Sequence, residues 1–220
     1  MINSLPDNKE KENKKRYISE LKNSKRKGVD ELLAWLDKTD FYQAPASTKF
    51  HLDVYGGLCQ HSLNVLDITR KFNKVLELDI EDEPIIVVSL LHDLCKINYY
   101  IVKQVWDKEY KDQTNKWRQT DEWSVEEKMP LGHGEKSAIL AYHYLDMNAD
   151  EIAAIRWHLG AFEGGIQFAY PTGIPFKKAT DKYPLLKLLM LADIAAVFKE
   201  SLTKEKKNEV PNSKQLNINN

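Results

Sequence analysis

Apolar residues recur at helical spacing along most of the chain, and this pattern predicts a mostly helical protein. The first clear stripe, Val29, Leu32, Leu33 and Leu36, has the i, i+3, i+4, i+7 spacing of an amphipathic helix. Further helices are predicted at about 58–72, from Pro84 onward, and at about 135–147, 150–158 and 184–201. The helix that follows Pro84 is apolar almost all round, which predicts a place at the centre of the core.

Two parts of the chain depart from this helical pattern. Residues 99–106 and 117–125 are rich in aromatic and β-branched residues, and the polar residues 111–115 lie between them, which predicts a β-hairpin inserted at about 99–128. Residues 160–182 contain glycines and prolines that predict a loop, either a lid over a site or a connector. The predicted fold class is therefore all-α with a small β-hairpin insertion.

The two ends of the chain are polar and lie outside the domain predicted at 29–203. Residues 1–28 contain nine Lys/Arg and four Asp/Glu, which is typical of a disordered segment or of a solvated helix. The tail at 204–220 is polar and Asn-rich, and we expect it to be disordered.

Composition narrows the range of partners. The 220 residues carry a formal net charge of −1, so no global positive field would attract nucleic acid, and a small substrate is expected rather than a long nucleic acid. No apolar run approaches the roughly 20 residues that span a bilayer, and two cysteines are too few for a disulfide framework. We therefore expect a cytoplasmic protein with no membrane partner; the sequence leaves its oligomeric state open.

The pair His92-Asp93 lies in an otherwise apolar stretch, residues 84–95. A buried ionised carboxylate without a partner is strongly unfavourable, so other groups must hold Asp93. Comparable positions, at helix ends or on core-facing stripes, are occupied by His61, His133, His158 and Asp193. Each of these alone is more simply a structural residue, and an arginine could pair with Asp193. Together, however, imidazoles and carboxylates are ligands for Fe, Mn, Co, Ni and Zn, so the set favours a metal site.

The remaining histidines and the cysteines are interpreted more simply. His51 and His143 read as structural or surface residues, and Cys59 and Cys95 as small buried hydrophobic residues. A zinc site built from both cysteines and their neighbouring histidines is disfavoured, because residues 59 and 61 lie about 200° apart on a helix.

The ordered set His61, His92-Asp93, His133, His158 and Asp193 resembles that of the HD-domain superfamily of metal-dependent phosphohydrolases. The resemblance is carried by residues 56–65, 90–96, 131–137, 155–158 and 191–193, and it covers roughly residues 50–200. The sequence is similar to bacterial and phage HD hydrolases, and more distantly to HD-type 3′→5′ exoribonucleases. The resemblance implies a mostly helical bundle with a metal site at its centre.

The resemblance also implies roles for individual residues. It assigns two sets of ligands that share one carboxylate: His61, His92, Asp93 and Asp193 for a first divalent ion, and Asp93, His133 and His158 for a second. The two ions would be Mn, Fe, Co, Ni, Mg or Zn. Asp93 and Lys96 are the expected catalytic residues, and Lys96 would contact a phosphate oxygen. Lys136 and Arg156 are further candidates for substrate binding, although a solvated helix face is the more common setting for such residues. Cys95 is a departure, because many members have glycine there.

The function that the resemblance implies is hydrolysis of a nucleotide or a nucleotide phosphodiester by attack of a metal-bound water. Monoesterase, diesterase and exonuclease activities all stay open. Aromatic residues such as Tyr99 and Trp123 could stack on a base, although a small satellite core is the simpler role. The alternatives of another class are a non-catalytic nucleotide-binding regulatory module and a helical interaction protein with an incidental polar core.

Overall fold

The structure is a computed structural model that describes residues 2–160 and 170–209. In chain order its elements are α1 (Asp7–Asn23), α2 (Val29–Leu36), α3 (Gly57–Val75), α4 (Asp82–Leu91), a 3₁₀ helix (Leu94–Lys96), β1 (Tyr100–Trp106), α5 (Lys108–Thr114), β2 (Gln119–Val125), α6 (His133–Tyr144), α7 (Ala149–Trp157), α8 (Tyr170–Lys182) and α9 (Pro184–Glu209). Helices dominate and the two strands form one antiparallel pair. The predicted all-α class with a small β-hairpin insertion is therefore confirmed.

Helix α4 lies at the centre of the bundle, as its all-round apolar surface predicts. Every residue from Ile85 to Leu91 is buried. Helix α3 packs against both α4 and α9, and α7 packs against both α9 and α6. These five helices contribute the side chains that collect around Asp93.

The charged N-terminal segment forms helix α1, which is one of the two states expected for it. The buried face of α1 consists of Asn13, Tyr17 and Leu21, and the Tyr17 hydroxyl donates to the carbonyl oxygen of Leu90 at 2.9 Å. Because Leu90 lies on the central helix α4, α1 is packed on the domain and is not a free arm.

The inserted hairpin differs from its prediction at the tip. Strands β1 and β2 pair along their whole length, but the short helix α5 joins them where the sequence predicted a polar turn at 111–115. Asp107 caps this helix by accepting a hydrogen bond from the Tyr110 backbone N–H at 2.9 Å, which satisfies one of the donors that a helix start leaves unpaired.

At its base the hairpin is tied to the segment that precedes α3. The Trp123 indole donates to the carbonyl oxygen of Asp53 at 3.0 Å, and the Tyr100 hydroxyl donates to that of Ala46 at 3.2 Å. The base of the insertion is thus fixed to the bundle by two side chains that the sequence marks only as aromatic.

The prediction of a loop at 160–182 is wrong for residues 170–182, which form helix α8. Its glycine and proline residues predicted a loop, but Ala179 is buried and the Phe176 ring centroid lies 5.6 Å from that of Trp157. Tertiary packing therefore outweighs local propensity here. Residues 161–169, which hold the rest of the predicted loop and of the possible lid, lie outside the described residues.

The last helix is longer than the pattern predicts. Helix α9 continues to Glu209, whereas the sequence predicted an end near residue 201 and a disordered tail from 204. Residues 210–220, the remainder of that predicted tail, lie outside the described part of the chain. Across residues 2–160 and 170–209, no helix is both long and apolar enough to cross a bilayer.

Candidate metal centre

The structure brings together all six residues that the sequence predicted as metal ligands. They are His61 on α3, His92 and Asp93 directly after α4, His133 at the start of α6, His158 directly after α7, and Asp193 on α9. All of them except the half-buried His133 are buried. Five separate helices thus deliver imidazole and carboxylate groups to one place.

Asp93 lies between two groups of histidines. Its Oδ2 atom is 3.4 Å from His92 Nε2 and 3.7 Å from His61 Nε2. Its Oδ1 atom is 2.8 Å from His133 Nε2 and 3.8 Å from His158 Nε2. One carboxylate therefore offers a different oxygen to each group, which is the arrangement that a carboxylate bridging two ions requires.

Asp193 completes the group on the Oδ2 side. Its Oδ1 atom is 3.1 Å from His61 Nε2 and 3.9 Å from His92 Nε2. Around Asp93, three clusters of donor atoms have all members within 4.8 Å of one another: His61, His92 and Asp193; His92, Asp93 and His158; and Asp93, Cys95 and His133. The clusters share members, so they form one continuous polar centre.

His92 and His158 are each the residue at which a helix ends. The ring Nδ1 of each bonds to the carbonyl oxygen three residues earlier, that of Ser89 at 2.8 Å and that of Ile155 at 2.7 Å. Because a carbonyl oxygen only accepts, Nδ1 carries the proton, and in the neutral ring Nε2 presents its lone pair toward Asp93. The contact satisfies a carbonyl left unpaired by the helix end and orients the ring.

His61 is oriented by Glu200, a residue that sequence analysis did not identify. Its Nδ1 atom lies 3.1 Å from both carboxylate oxygens of Glu200, which leaves Nε2 directed at Asp193 and Asp93. Burial lowers the pKa of His61, but the Glu200 and Asp193 carboxylates outweigh it and raise that pKa to about 10. The sequence does hold one signal for Glu200, because it lies two helical turns after Asp193 and so on the same face of α9.

Lys96 balances the charge of Asp93. Its ammonium is 2.7 Å from Asp93 Oδ2 and 2.8 Å from the carbonyl oxygen of Ala46. Burial opposes ionisation of Asp93, but the Lys96 charge and the hydrogen bond from His133 outweigh it and hold the pKa of the carboxyl well below its usual range. Burial likewise lowers the pKa of Lys96, and the Asp93 charge more than reverses that effect. Both groups are therefore charged.

The donor set fits a divalent metal ion. His92 Nε2 and His158 Nε2 are buried and have no hydrogen-bond partner among the described residues, whereas buried polar atoms nearly always have one. Burial lowers the pKa of His158 to about 3, so its ring is neutral. The lone pair of this neutral imidazole, beside the ionised Asp93 carboxylate, is a pair of donors that suits a transition metal ion.

A cavity of about 690 Å³ opens beside this centre. Its wall includes three of the residues predicted for the site and three aromatic side chains: Lys96, His133, Lys136, Phe50, Tyr99 and Tyr100. The buried Lys136 donates from its ammonium to Glu127 Oε1 at 2.8 Å. The cavity therefore joins metal-competent histidine, cationic and aromatic groups.

Arg156, the other predicted substrate contact, has different surroundings. Its guanidinium pairs with Glu135 and lies 3.8 Å from the ring centroid of Trp157. Arg156 is not one of the described residues that line the cavity.

Two residues that sequence analysis set aside also lie at the centre. His51 is 8% exposed and lines the cavity, its ring centroid is 5.0 Å from that of His61, and within the described chain neither of its nitrogens has a hydrogen-bond partner. Cys95 Sγ is 3.2 Å from His133 Nδ1 and 3.4 Å from His133 Nε2. Both contacts arise from tertiary packing, although Cys95 is close to Asp93 in the sequence.

Comparison with protein-family models gives evidence independent of this geometry. The model for the HD domain matches residues 58–196, more than half of the 220-residue chain. No curated protein and no solved structure matches the chain. The matched span contains all six of the residues that meet at Asp93, and the chain belongs to the HD domain family.

Proposed function

We propose that this chain is a divalent-metal-dependent phosphohydrolase whose substrate is a nucleotide or a nucleotide phosphodiester. The observation that carries the proposal is the position of Asp93, whose two oxygens face separate groups of histidines. Membership of the HD domain family supports the same chemistry, since that superfamily consists of metal-dependent phosphohydrolases.

The ligands proposed for two ions are the six residues that meet at the centre: His61, His92, Asp93, His133, His158 and Asp193. Divalent ions bound there would lower the pKa of a coordinated water and neutralise charge on a phosphoryl group. The rings enter this role already oriented, because Ser89, Ile155 and Glu200 hold the opposite ring nitrogen of three of them. His61, whose pKa is raised, would release its Nε2 proton when an ion binds.

The protein's own cations complete the proposed site. Lys96 keeps Asp93 ionised through its contact at 2.7 Å and borders the cavity, so its ammonium is available to a phosphate oxygen that enters. Lys136 is the second proposed phosphate contact, because it lines the same wall. Arg156 is not included in this set, since its guanidinium is held by Glu135 and Trp157.

The cavity supports a substrate of nucleotide size. Its volume of about 690 Å³ falls within the roughly 300–1,000 Å³ of small-molecule sites. Phe50, in the cavity wall, is 76% exposed and offers a face on which a base can stack. The formal net charge of −1 gives no added attraction for a long polyanion.

The test is hydrolysis by the purified protein with Mn²⁺ of a panel of 5′-mononucleotides, cyclic nucleotides, dinucleotides and short oligonucleotides. Asp93→Asn keeps the size of the side chain but removes the charge that two ions share, so it should abolish turnover while the circular dichroism spectrum stays unchanged. Asp112→Asn makes the same chemical change on the exposed face of α5 and should retain full activity.

The products identify the reaction class. Release of inorganic phosphate indicates a monoesterase, and release of mononucleotides indicates a diesterase or an exonuclease. Bound metal with no turnover of any compound would contradict the proposal and favour the non-catalytic nucleotide-binding module. Protein that binds no metal at all would favour the helical interaction protein.

A further inference from the structure

The thiol of Cys95 lies beside His133, the half-buried histidine of the candidate metal centre. Its sulfur is 3.2 Å from Nδ1 and 3.4 Å from Nε2 of His133. The same Nε2 atom is 2.8 Å from Asp93 Oδ1. Sulfur, nitrogen and oxygen donors of these three residues all lie within 4.8 Å of one another, which is close enough for one ion to contact all three.

A second observation points to an ion at this position. His158 is 1% exposed, and its Nε2 atom has no partner among the described groups although it faces Asp93 Oδ1 at 3.8 Å. An unpaired lone pair this deeply buried is unfavourable. An ion held on the Oδ1 side of Asp93 would place positive charge next to that lone pair.

The backbone holds the sulfur in place. The Cys95 N–H donates to Ser137 Oγ at 3.1 Å, and Ser137 is fully buried on α6, the helix that begins at His133. The sulfur and the imidazole are therefore carried by elements that are bonded to each other. Cys95 also lines the cavity, so an ion can reach it.

We infer that Cys95 is a sulfur ligand of the ion bound by Asp93 and His133. On coordination the S–H bond is replaced by a sulfur–metal bond, and the proton is released to solvent. Thiolate is a soft ligand, so this position should favour Zn²⁺, Fe²⁺ or Co²⁺ over Mg²⁺. The inference rests on the proposed function, because it assigns one ligand and the class of metal to the same centre.

Cobalt(II) provides a test that does not depend on activity. Metal-free full-length protein is titrated with Co²⁺, bound cobalt is measured by elemental analysis, and the near-ultraviolet sulfur-to-cobalt charge-transfer band is recorded. The chain has two cysteines, and the second, Cys59, is buried in the core on α3. Cys59→Ala is therefore a matched control for Cys95→Ala.

The inference predicts the band in the wild type and in Cys59→Ala and its loss in Cys95→Ala. It also predicts that Cys95→Ala weakens cobalt binding by roughly tenfold or more. A residue that only orients a ligand already changes metal affinity by about that factor, and loss of a ligand should cost at least as much.

Cobalt bound by the wild type without the band overturns the sulfur ligand but not the proposed metal centre. A band that follows Cys59 also overturns it, and failure of the wild type to bind cobalt overturns both proposals. The presence or absence of the band in the wild type can be judged without any variant, so the inference can still be contradicted if Cys95→Ala does not fold.

Discussion

Glu200 contacts His61 on the side of the ring that faces away from Asp93 and from the candidate metal centre. Its carboxylate is 4% exposed, and it also accepts a hydrogen bond from the Asn64 amide at 2.7 Å. The charge of Glu200 strengthens the electron donation of His61 and fixes the plane of its ring. Metal affinity should therefore depend on a residue that is not itself a proposed ligand.

Replacing Glu200 with Gln tests this dependence. Glutamine can still accept a hydrogen bond from His61 but carries no charge, so we expect the affinity for Mn²⁺ to fall by roughly 10- to 100-fold with the helical content unchanged. Titration calorimetry measures the affinity. Glu31→Gln, the same change at an exposed position of α2, should bind Mn²⁺ as the wild type does, and equal affinities for all three proteins would contradict the role given to Glu200.

The six proposed ligands could be predicted from the sequence because their polar groups interrupt apolar stripes in a recognisable order. Glu200 and His51 could not be predicted in the same way. Glu200 lies in the polar end of a long helix, and its relation to His61 depends on how α9 packs against α3. His51 lies in an irregular segment, where no periodicity predicts which way a side chain points.

Among the elements, the contact between α6 and α7 sets the distance between two of the histidines. Gly134 lies at the point of closest approach, where an added Cβ atom would overlap the carbonyl oxygen of Arg156. The residue before Gly134 is His133 and the second residue after Arg156 is His158, whose ring centroids are 5.2 Å apart. A small residue at this crossing therefore keeps both rings at Asp93.

Gly134→Ala should separate the two helices. Because the atom it would meet belongs to the backbone, relief requires movement of α6, and we expect a loss of about 1–3 kcal/mol in the free energy of unfolding together with weaker metal binding. Urea denaturation and Mn²⁺ titration measure the two effects. In Gly132→Ala the nearest atoms to the new Cβ belong to the carboxylate end of Glu135, a flexible side chain that can rotate away, so metal affinity should be retained there. Equal losses in both variants would argue against the crossing as the cause.

Most helices of the bundle could be predicted from periodicity, since each has one face that the core requires to be apolar. Periodicity did not predict α1, α5 or α8, and the charge of residues 1–28 left a disordered segment and a solvated helix equally open for α1. Helix α5 has no buried residue and so shows no apolar stripe. In α8, Pro175 lies inside the helix, and the contacts of Phe176 and Ala179 that stabilise it connect residues distant in the sequence.

In the molecule as a whole, the N-terminal segment is joined to helices α4 and α7 of the bundle by a buried ion pair. Arg26 follows α1, and its guanidinium binds both oxygens of Glu151 on α7, Glu83 on α4 and the carbonyl oxygen of Asp146. The Glu151 side chain is fully buried and also completes the capping box at the start of α7. Residues 1–28 are therefore part of the folding unit.

Arg26→Met should expose this dependence, because it leaves the buried Glu151 carboxylate without its cation. We expect a loss of about 3–5 kcal/mol in the free energy of unfolding, measured by urea denaturation. Arg118→Met removes an arginine that pairs with Asp107 on the surface of the insertion, where solvent screens the charges, and should change stability little. A stability of Arg26→Met close to that of the wild type would indicate that the N-terminal segment is a dispensable addition.

The two histidines that end α4 and α7 have a consequence for how such a protein can change during evolution. In each, one ring nitrogen completes the helix and the other faces the metal centre. If the proposed function holds, a lineage that lost the need for catalysis would still gain stability from a hydrogen-bond donor at these two helix ends. Drift toward a protein that only binds nucleotides should therefore begin at Asp193 or His133, whose replacement leaves no helix end without a partner, and reach His92 and His158 last.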